Sequence, residues 1–440
     1  NKFNNISIIV ILTLNLFSTP LSRLVLAQTW SQIPTTGNPS QRGNISAVYD
    51  SRANRMIIFG GRTATANLNE IWGLNLNTNV WQNITPGSGQ MPAPRFTQNA
   101  FFDSLMNRMI IWSGQGAELY NDVWAFNLNN NSWQQLWPDG NVSGAPLKRY
   151  GTAAVFDPIN RRVVNFAGFT TSGRFDDTWY FQVDSMKWTD KTNSFHPEMR
   201  CLHSACISQD LQKMIVYGGQ HNGAFDDIWS LNLNTFTWTN LTPAVKPSGR
   251  WFTSAICTKY GNVVIFGGQN NSLTYSDLWK FTLGSNQWDS VSQGIVRPSG
   301  RSSHSAIYIP VSDKMIIFGG FDNNFINDTW QFTNISTTGI ENTYSVPQSF
   351  NLFQNYPNPF NPSTFIKYEL AANGFVNLTV YDLLAKEIET LFYGRQNAGI
   401  YSIEFKAGEL SSGIYFYKIE FRNEKSDIVF FDTKKMIVIK

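Results

Sequence analysis

The sequence contains few of the residues that usually carry chemistry. It has three cysteines and four histidines, and charged residues make up only 15% of its 440 positions. Three cysteines cannot all pair with one another, so we expect small buried thiols, with one disulfide left open. The formal net charge is only +3 and the basic residues are scattered singly. This excludes the clustered basic surface of a nucleic-acid-binding protein.

Long apolar runs are also scarce, and the one present lies at the start of the chain. Lys2 precedes an apolar stretch at residues 6–17, Pro20 interrupts it, and Val25-Leu26-Ala27 suits a cleavage site. The stretch is shorter than the roughly twenty residues that a membrane span needs. We therefore expect a signal peptide at residues 1–27, a mature chain from about Gln28, and no transmembrane span.

Catalytic motifs are absent. The sequence has no Gly-rich phosphate loop, no Gly-x-Ser-x-Gly, no His-Glu-x-x-His and no Cys-x-x-Cys. We therefore assign no catalytic residue, no metal ligand and no cofactor.

What the sequence does have is a unit of 50 to 54 residues that occurs six times. Each unit starts with an arginine, has an alanine five residues later, and continues through a β-branched run that ends at glycine. A tryptophan follows, with an acid two residues before it. The arginines are Arg42, Arg95, Arg149, Arg200, Arg250 and Arg301. Four units have paired glycines, at Gly60, Gly61, Gly218, Gly219, Gly267, Gly268, Gly319 and Gly320. The tryptophans are Trp72, Trp124, Trp179, Trp229, Trp279 and Trp330.

Each unit contains four strand signals and cannot bury its apolar face alone. The sixth unit lacks its last tryptophan, because Gly339 stands in that place. Trp30 lies 12 residues before Arg42, the same spacing that separates Trp238 from Arg250. We therefore predict that residues 29–33 complete the sixth unit and close a ring without open edges. The pattern resembles the Kelch repeat, which implies an all-β fold with a six-bladed propeller at residues 28–338.

The repeat stops near residue 335, and a linker is predicted at residues 339–347. The loop at residues 355–363 has three prolines and is expected to be stiff. Alternating strands are predicted at residues 364–370, 376–381, 399–405, 413–422 and 435–439, which is typical of a small antiparallel β-sandwich.

This last part, residues 348–440, resembles the type A C-terminal sorting domain of bacterial type IX secretion cargo. The resemblance rests on Tyr-Pro-Asn-Pro-Phe-Asn-Pro-Ser-Thr, Val-Tyr-Asp, Ser-Ser-Gly-Ile-Tyr and Thr-Lys-Lys-Met. Ala385 departs from it, since the family usually has glycine there. The resemblance implies the type IX translocon as partner, cleavage of the domain, and a place outside a Bacteroidetes-like Gram-negative cell or on its outer-membrane surface.

Function is expected where the repeats differ from one another. One such place directly follows the arginines, and another is the loop between the second and third strands. Exposed rings beside amides suit sugar or peptide binding, although the same rings can also fill gaps between blades. The candidate ligand-binding residues are Phe96, Tyr150, Trp251, His203, His304, Tyr120, His221, Phe321 and Phe325.

For the two histidines, and for the repeat arginines, the sequence leaves two roles open. First strands line the central channel in propellers of this family, so His203 and His304 are expected to face it. They are either hydrogen-bonded channel histidines, which we favour, or two ligands of a metal. The repeat arginines either bind an anion as a ring or, as we prefer, bond to carbonyls and acids of the scaffold.

The leading functional hypothesis is an exported surface or secreted protein whose propeller loops bind a glycan or a protein. A second hypothesis is a secreted carbohydrate-active enzyme of oxidase or epimerase type. A third is a structural subunit of a surface adhesion assembly.

Overall fold

The computed structural model describes residues 28–336, 349–396, 399–423 and 427–439, and every regular element within them is a β-strand. The predicted signal peptide and linker lie outside the described residues. Six four-stranded antiparallel sheets come first, and two further sheets follow at the C-terminal end. This confirms the predicted all-β fold, with a six-bladed propeller and a small sandwich.

The strands of the propeller are β1 (Thr29–Gln32), β2 (Ser46–Asp50), β3 (Arg55–Phe59), β4 (Ile71–Asn75), β5 (Val80–Asn83), β6 (Asn99–Asp103), β7 (Arg108–Trp112), β8 (Val123–Asn127), β9 (Ser132–Trp137), β10 (Ala153–Asp157), β11 (Arg162–Thr170), β12 (Gly173–Gln182), β13 (Lys187–Asp190), β14 (Ser204–Ile207), β15 (Lys213–Tyr217), β16 (Ile228–Asn232), β17 (Trp238–Asn240), β18 (Ser254–Cys257), β19 (Asn262–Phe266), β20 (Leu278–Thr282), β21 (Gln287–Ser290), β22 (Ser305–Ile309), β23 (Lys314–Phe321) and β24 (Phe325–Thr333).

Blades one to five take these strands in chain order from β2 to β21, and the sixth blade is closed by the first strand of the chain. Its order is β1-β24-β23-β22, with Trp30 opposite Phe332. The prediction from the spacing of Trp30 is confirmed. Closure pairs the outer edge of the last blade and joins the two ends of the ring.

The strands follow from their side-chain patterns. The second strand of each blade is aliphatic or aromatic on both faces, as in β3, because it lies between two neighbouring blades. The innermost strand alternates buried and half-buried residues, as in β2, because one face lines the channel. The tight turns within each blade lie on one face of the ring, here called the lower face. The longer loops lie on the other, the upper face.

Aromatic pairs hold neighbouring blades together. The tryptophan of each outer strand packs on an aromatic ring of the second strand of the preceding blade, with centroids 4.8 to 5.3 Å apart. The six pairs are Trp81–Phe318, Trp133–Phe59, Trp188–Trp112, Trp238–Phe166, Trp288–Tyr217 and Trp30–Phe266. The last pair again uses Trp30. The N-terminal strand therefore completes both the hydrogen bonding of the sixth blade and the aromatic contacts between blades.

The paired glycines mark a close approach between blades. Gly60 has a φ of 64°, and a side chain there would meet the carbonyl oxygen of Arg95 at 2.7 Å. Gly61 donates its N–H to the same carbonyl. Glycine suits this left-handed backbone, although Ser113 and Ala167 adopt it in blades two and three.

The C-terminal domain is a sandwich of a three-stranded and a four-stranded sheet. Its strands are β25 (Asn351–Leu352), β26 (Ser363–Leu370), β27 (Gly374–Tyr381), β28 (Glu387–Gln396), β29 (Gly399–Lys406), β30 (Gly413–Arg422) and β31 (Ile428–Val438). The sheet orders are β25-β26-β29 and β28-β27-β30-β31.

Two strand predictions in this domain need correction. β28 was not predicted at all, because it is an exposed edge strand with charged residues and little apolar alternation. The last strand starts at Ile428 rather than at residue 435, because its first half is also an edge and is largely exposed. Ala385, which replaces the usual glycine, takes a left-handed φ of 61° in its turn.

Two of the three cysteines are bonded to each other. Cys206 on β14 and Cys257 on β18 form a disulfide between the innermost strands of blades four and five, with Cα atoms 5.7 Å apart. Cys201 is a buried free thiol. The disulfide that the sequence left open is therefore present.

Candidate functional site

The repeat arginines are buried, and their guanidinium groups are bonded within their own blades. In blade four, Arg200 donates to both carboxylate oxygens of Asp227 at 2.6 and 2.8 Å, and to the carbonyl of Gly218 at 2.9 Å. The indole N–H of Trp229 donates to the same acid at 2.8 Å. The corresponding pairs are Arg95–Asp122, Arg149–Asp177, Arg250–Asp277 and Arg301–Asp328, while Arg42 contacts Glu70 through a single oxygen. These arginines do not offer a ring of free donors to an anion.

Aromatic side chains that precede the third-strand tryptophan cover these arginines. The ring of Tyr120 lies 4.1 Å from the guanidinium carbon of Arg95, and only 7% of Tyr120 is exposed. The rings of Phe175, Phe225 and Tyr275 lie against the arginines of blades three, four and five in the same way. All four stand four residues before the third-strand tryptophan. We therefore move Tyr120 from the candidate ligand residues to the scaffold.

His203 and His304 bond to the neighbouring blade. Nε2 of His203 donates to the carbonyl of Phe166 at 3.1 Å, and Nε2 of His304 bonds to Oγ of Ser254 at 2.8 Å. Gln98 holds the equivalent place in blade two and also bonds across the blade interface. Its Nε2 donates to the carbonyl of Phe59 at 2.7 Å. The long side chains at this position tie adjacent blades together.

The electrostatic setting keeps both imidazoles neutral. Burial lowers the pKa of His203 to about 3, with a further contribution from the charge of Arg200. Burial and the nearby Arg301 lower the pKa of His304 to about 3 as well. Among the described residues, no group of three or more His, Cys, Asp or Glu side chains could hold a metal ion.

The backbone narrows the upper end of the channel. The residues two positions after the arginines all have left-handed φ values between 53° and 62°. They are Asn44, Thr97, Gly151, Leu202, Phe252 and Ser303. The N–H of Leu202 donates to the carbonyl of Gly151, and the N–H of Phe252 to that of Leu202, around the axis. These six residues, and the residue that follows each of them in the chain, line a small cavity of about 120 Å³ to which all six blades contribute.

Around this cavity lie six two-residue bridges, one from each blade. Each bridge joins the residue after the repeat arginine to the residue after the strand-ending glycine. The bridges are Gly43–Arg62, Phe96–Gln115, Tyr150–Phe169, Cys201–Gln220, Trp251–Gln269 and Ser302–Phe321. We call these twelve residues the upper funnel. Their side chains differ from blade to blade, so this is where the sixfold pattern is broken.

One side of the upper funnel is apolar. Tyr150, Phe169, Cys201 and Trp251 form one cluster with Leu202, and the rings of Tyr150 and Phe169 are 5.4 Å apart. Burial raises the pKa of the Cys201 thiol, against the opposing charge of the neighbouring Arg174, so the thiol stays neutral. Two predicted ligand residues, Tyr150 and Trp251, are thus brought together here.

The other side carries a free positive charge. Arg62 lies between two rings, with its guanidinium carbon 5.3 Å from the centroid of Phe96 and 5.7 Å from that of Phe325. Phe325 in turn contacts Phe321, with centroids 5.3 Å apart. Arg62 is exposed, and within the described part of the chain its side chain has no hydrogen-bond or ion-pair partner.

Phe96, Phe321 and Phe325 were predicted as ligand residues from the sequence, but Arg62 was not. Arg62 follows Gly60-Gly61, so the position could have been found by comparing the residue after each strand-ending glycine. His221 lies outside the upper funnel, where its Nδ1 is 3.0 Å from a carboxylate oxygen of Glu198.

Fold and site together define a closed β-propeller with a variable funnel on one face, followed by a separate β-sandwich. The chain belongs to the Kelch-repeat family, because the KLHDC2/KLHL20/DRC7 Kelch-repeats domain matches residues 24–190 and 189–338. Residues 354–438 match the secretion system C-terminal sorting domain. The first match indicates a binding propeller, and the second indicates type IX secretion to the cell surface or the extracellular space. No helix among the described residues is long and apolar enough to span a membrane.

Curated relatives are similar over part of the chain. A leucine-zipper-like transcriptional regulator 1 homolog of Drosophila melanogaster is 28% identical over 183 residues, which is 40% of this chain and 18% of that protein. Host cell factor homolog hcf-1 of Caenorhabditis elegans is 27% identical over 38% of this chain and 24% of its own length. Kelch domain-containing protein 1 of Mus musculus is 24% identical over 41% and 49%. The chain therefore spans less than half the length of these relatives.

Proposed function

We propose that this protein is an exported binding protein whose upper funnel holds an acidic segment of a partner polypeptide. The observation that carries the proposal is Arg62, an exposed guanidinium held between Phe96 and Phe325 with its donors free. The repeat arginines are buried and bonded to their own acids, so they cannot take this role.

The placement of Arg62 suits a carboxylate. A guanidinium that is stacked on rings is oriented in advance and can make two parallel hydrogen bonds to one carboxylate. Gly43 contributes no side chain beside it, and any side chain there would meet the ring of Phe325. Glycine at position 43 therefore leaves room for the ring of Phe325, which lies 5.7 Å from the guanidinium carbon of Arg62.

The apolar side of the funnel suits a neighbouring side chain of the same ligand. Tyr150 and Phe169 present half-buried rings, Trp251 packs behind them and is only 7% exposed, and Gln220 and Gln269 add amides at the bridge positions of adjacent blades. Rings and amides around one charged anchor are typical of peptide recognition, in which a few central residues supply most of the affinity. The partly matched relatives carry the names of regulators and host factors, which also favours a protein ligand over a glycan.

The test is a selection from a random peptide library with purified residues 28–440, run beside a glycan array. We expect peptides rich in Asp and Glu, and loss of their binding in Arg62→Gln. Arg297→Gln is the matched control, because Arg297 is exposed on a loop of the same face outside the funnel. Selection of neutral peptides, or a glycan hit without any peptide, would contradict the proposal.

A further inference from the structure

The lower end of the channel differs from the upper end. The side chains seven residues after the repeat arginines face it, and they are Tyr49, Phe102, Phe156, Ile207, Cys257 and Tyr308. They line a cavity of about 390 Å³ together with the loop that opens the sorting domain, including Tyr356 and Phe365. A single cavity wall is thus built from both domains.

A second cavity of about 340 Å³ adjoins the first and is also lined by both domains. Lys259 and Tyr260 come from the propeller, and Tyr356, Phe365 and Lys367 from the sorting domain. Nζ of Lys367 donates to Oε1 of Gln209 in the propeller at 3.5 Å. The same ammonium lies 4.6 Å from the ring of Phe353.

The loop meets the propeller in a fixed shape because it is tied to its own domain. The N–H of Phe360 donates to the carbonyl of Ile437, and the N–H of Ile439 donates to the carbonyl of Phe360. Nδ2 of Asn355 donates to Oγ1 of Thr364 at 2.9 Å. A preorganised loop loses little conformational freedom on docking.

We call the ring of six side chains that lie seven residues after the repeat arginines the lower mouth of the propeller. We propose that the sorting domain docks on this lower mouth and covers that end of the channel while the two domains remain joined. The occupant of the mouth is the proline-rich loop that carries Tyr356, together with β26. Five alanines of the innermost strands line the same cavity, and their small side chains leave room for this loop. They are Ala47, Ala100, Ala154, Ala255 and Ala306.

The consequence is mutual coverage. While the domains are docked, each restricts access to the other: the sorting domain covers part of the lower mouth and the propeller covers part of the Tyr356 loop, although Tyr356 itself is 43% exposed. We therefore expect undocking to make the whole loop accessible to the secretion machinery. Removal of the sorting domain leaves a propeller that is open at both ends.

The experiment is amine cross-linking of purified residues 28–440 followed by mass spectrometry. Lys259 and Lys367 line the same cavity, so we expect an intramolecular cross-link between them. Gln209→Arg places a like charge beside Lys367 and should lower the yield of this cross-link about tenfold. Ile159→Arg is the matched control, since Ile159 lies on the equivalent turn of blade three, is 57% exposed and lines neither cavity.

A second variant shows whether a lower cross-link yield comes from loss of docking or only from a local change at Gln209. Tyr356→Ser removes the side chain that reaches both cavities and should lower the same cross-link. Circular dichroism confirms that each variant is folded. Absence of the cross-link in the unmodified chain, or an equal yield in all four proteins, would overturn the proposal.

Discussion

Six arginines are buried in the propeller, and each is stable there because an acid of the same blade balances its charge. In blade six, burial by itself would raise the pKa of Asp328, but hydrogen bonds from Arg301 and Trp330 lower it below its ordinary value. A buried charge pair contributes little net stability when it is intact. Loss of one partner costs much more, because the other charge is left uncompensated.

Removal of two equivalent acids should have unequal effects on stability. Asp122→Ala leaves Arg95 unpaired where the acid itself is only 5% exposed, and should lower the free energy of unfolding by about 3–5 kcal/mol. Glu70→Ala should cost clearly less, because its side chain is 37% exposed and water can replace it. Urea unfolding measures the free energy of unfolding of both variants. Equal losses would show that the arginine pairs do not depend on burial.

The two channel histidines predict a pH dependence. Their pKa values are near 3 in the folded protein and near 6.5 in the unfolded chain, so the unfolded chain binds more protons between these values. The stability that they provide is complete above pH 6.5 and is lost as the pH falls toward 3.

Replacement of both histidines by glutamine should reduce this loss. Gln98 already makes the same inter-blade bond in blade two, so His203→Gln and His304→Gln should keep the contact without the titration. The measurement is the fall in melting temperature between pH 7 and pH 5. An identical fall in the parent and the double variant would rule out the histidines as its source.

Residue positions were predictable where the repeat fixes them and less so where it is broken. From the sequence, Tyr120 was predicted to be a ligand residue, and its contact with Arg95 shows that it belongs with the scaffold rings instead. Arg62 escaped notice because a single arginine in a loop has no pattern. Its role depends on Phe96 and Phe325, which belong to other blades and come near it only in the closed ring.

At the scale of strands, the closing strand β1 has the clearest role. Trp30 is 3% exposed, packs on Phe266 and Phe332, and donates its indole N–H to Gln293 at 2.8 Å. The tryptophan spacing made this strand predictable although its partner β24 lies about 300 residues away. By contrast, β28 was missed because an edge strand without any fully buried residue shows little of the alternation that reveals a buried strand.

Closure by β1 predicts a graded loss of stability. Trp30→Ala should lower the free energy of unfolding by about 3–5 kcal/mol, since it empties a packed site between two blades. Trp30→Phe should lose less, because it keeps much of the packing and gives up the bond to Gln293. Guanidinium unfolding followed by tryptophan fluorescence measures both variants. Equal stability of Trp30→Ala and the parent would contradict closure by this strand.

The disulfide between β14 and β18 predicts a specific labelling result. Alkylation of the unfolded, unreduced protein should modify one cysteine, Cys201, and alkylation after reduction should modify three. Peptide mass spectrometry identifies the sites. Labelling of Cys206 or Cys257 without reduction would show that the inner strands of blades four and five are not joined.

Across the entire propeller, residues that occur in every blade form the scaffold, and residues that vary among blades form the candidate sites. Repeat residues are bonded to each other, while the residues that differ among blades meet at the upper funnel and at the lower mouth. The sequence allowed prediction of the ring, the closing strand and the sorting domain, because each has a repeated or contiguous pattern. It could not predict which variable side chains meet, because those contacts join several blades.

If Arg62 anchors a carboxylate of a polypeptide ligand, a double-mutant cycle should show coupling between this guanidinium and the acidic groups of the peptide. An acidic peptide from the library selection is compared with its Asp→Asn and Glu→Gln version, by titration calorimetry, on the parent protein and on Arg62→Gln. We expect the neutral peptide to bind the parent about tenfold more weakly and to bind Arg62→Gln as well as the acidic one does. The same preference for the acidic peptide in both proteins would contradict the claim.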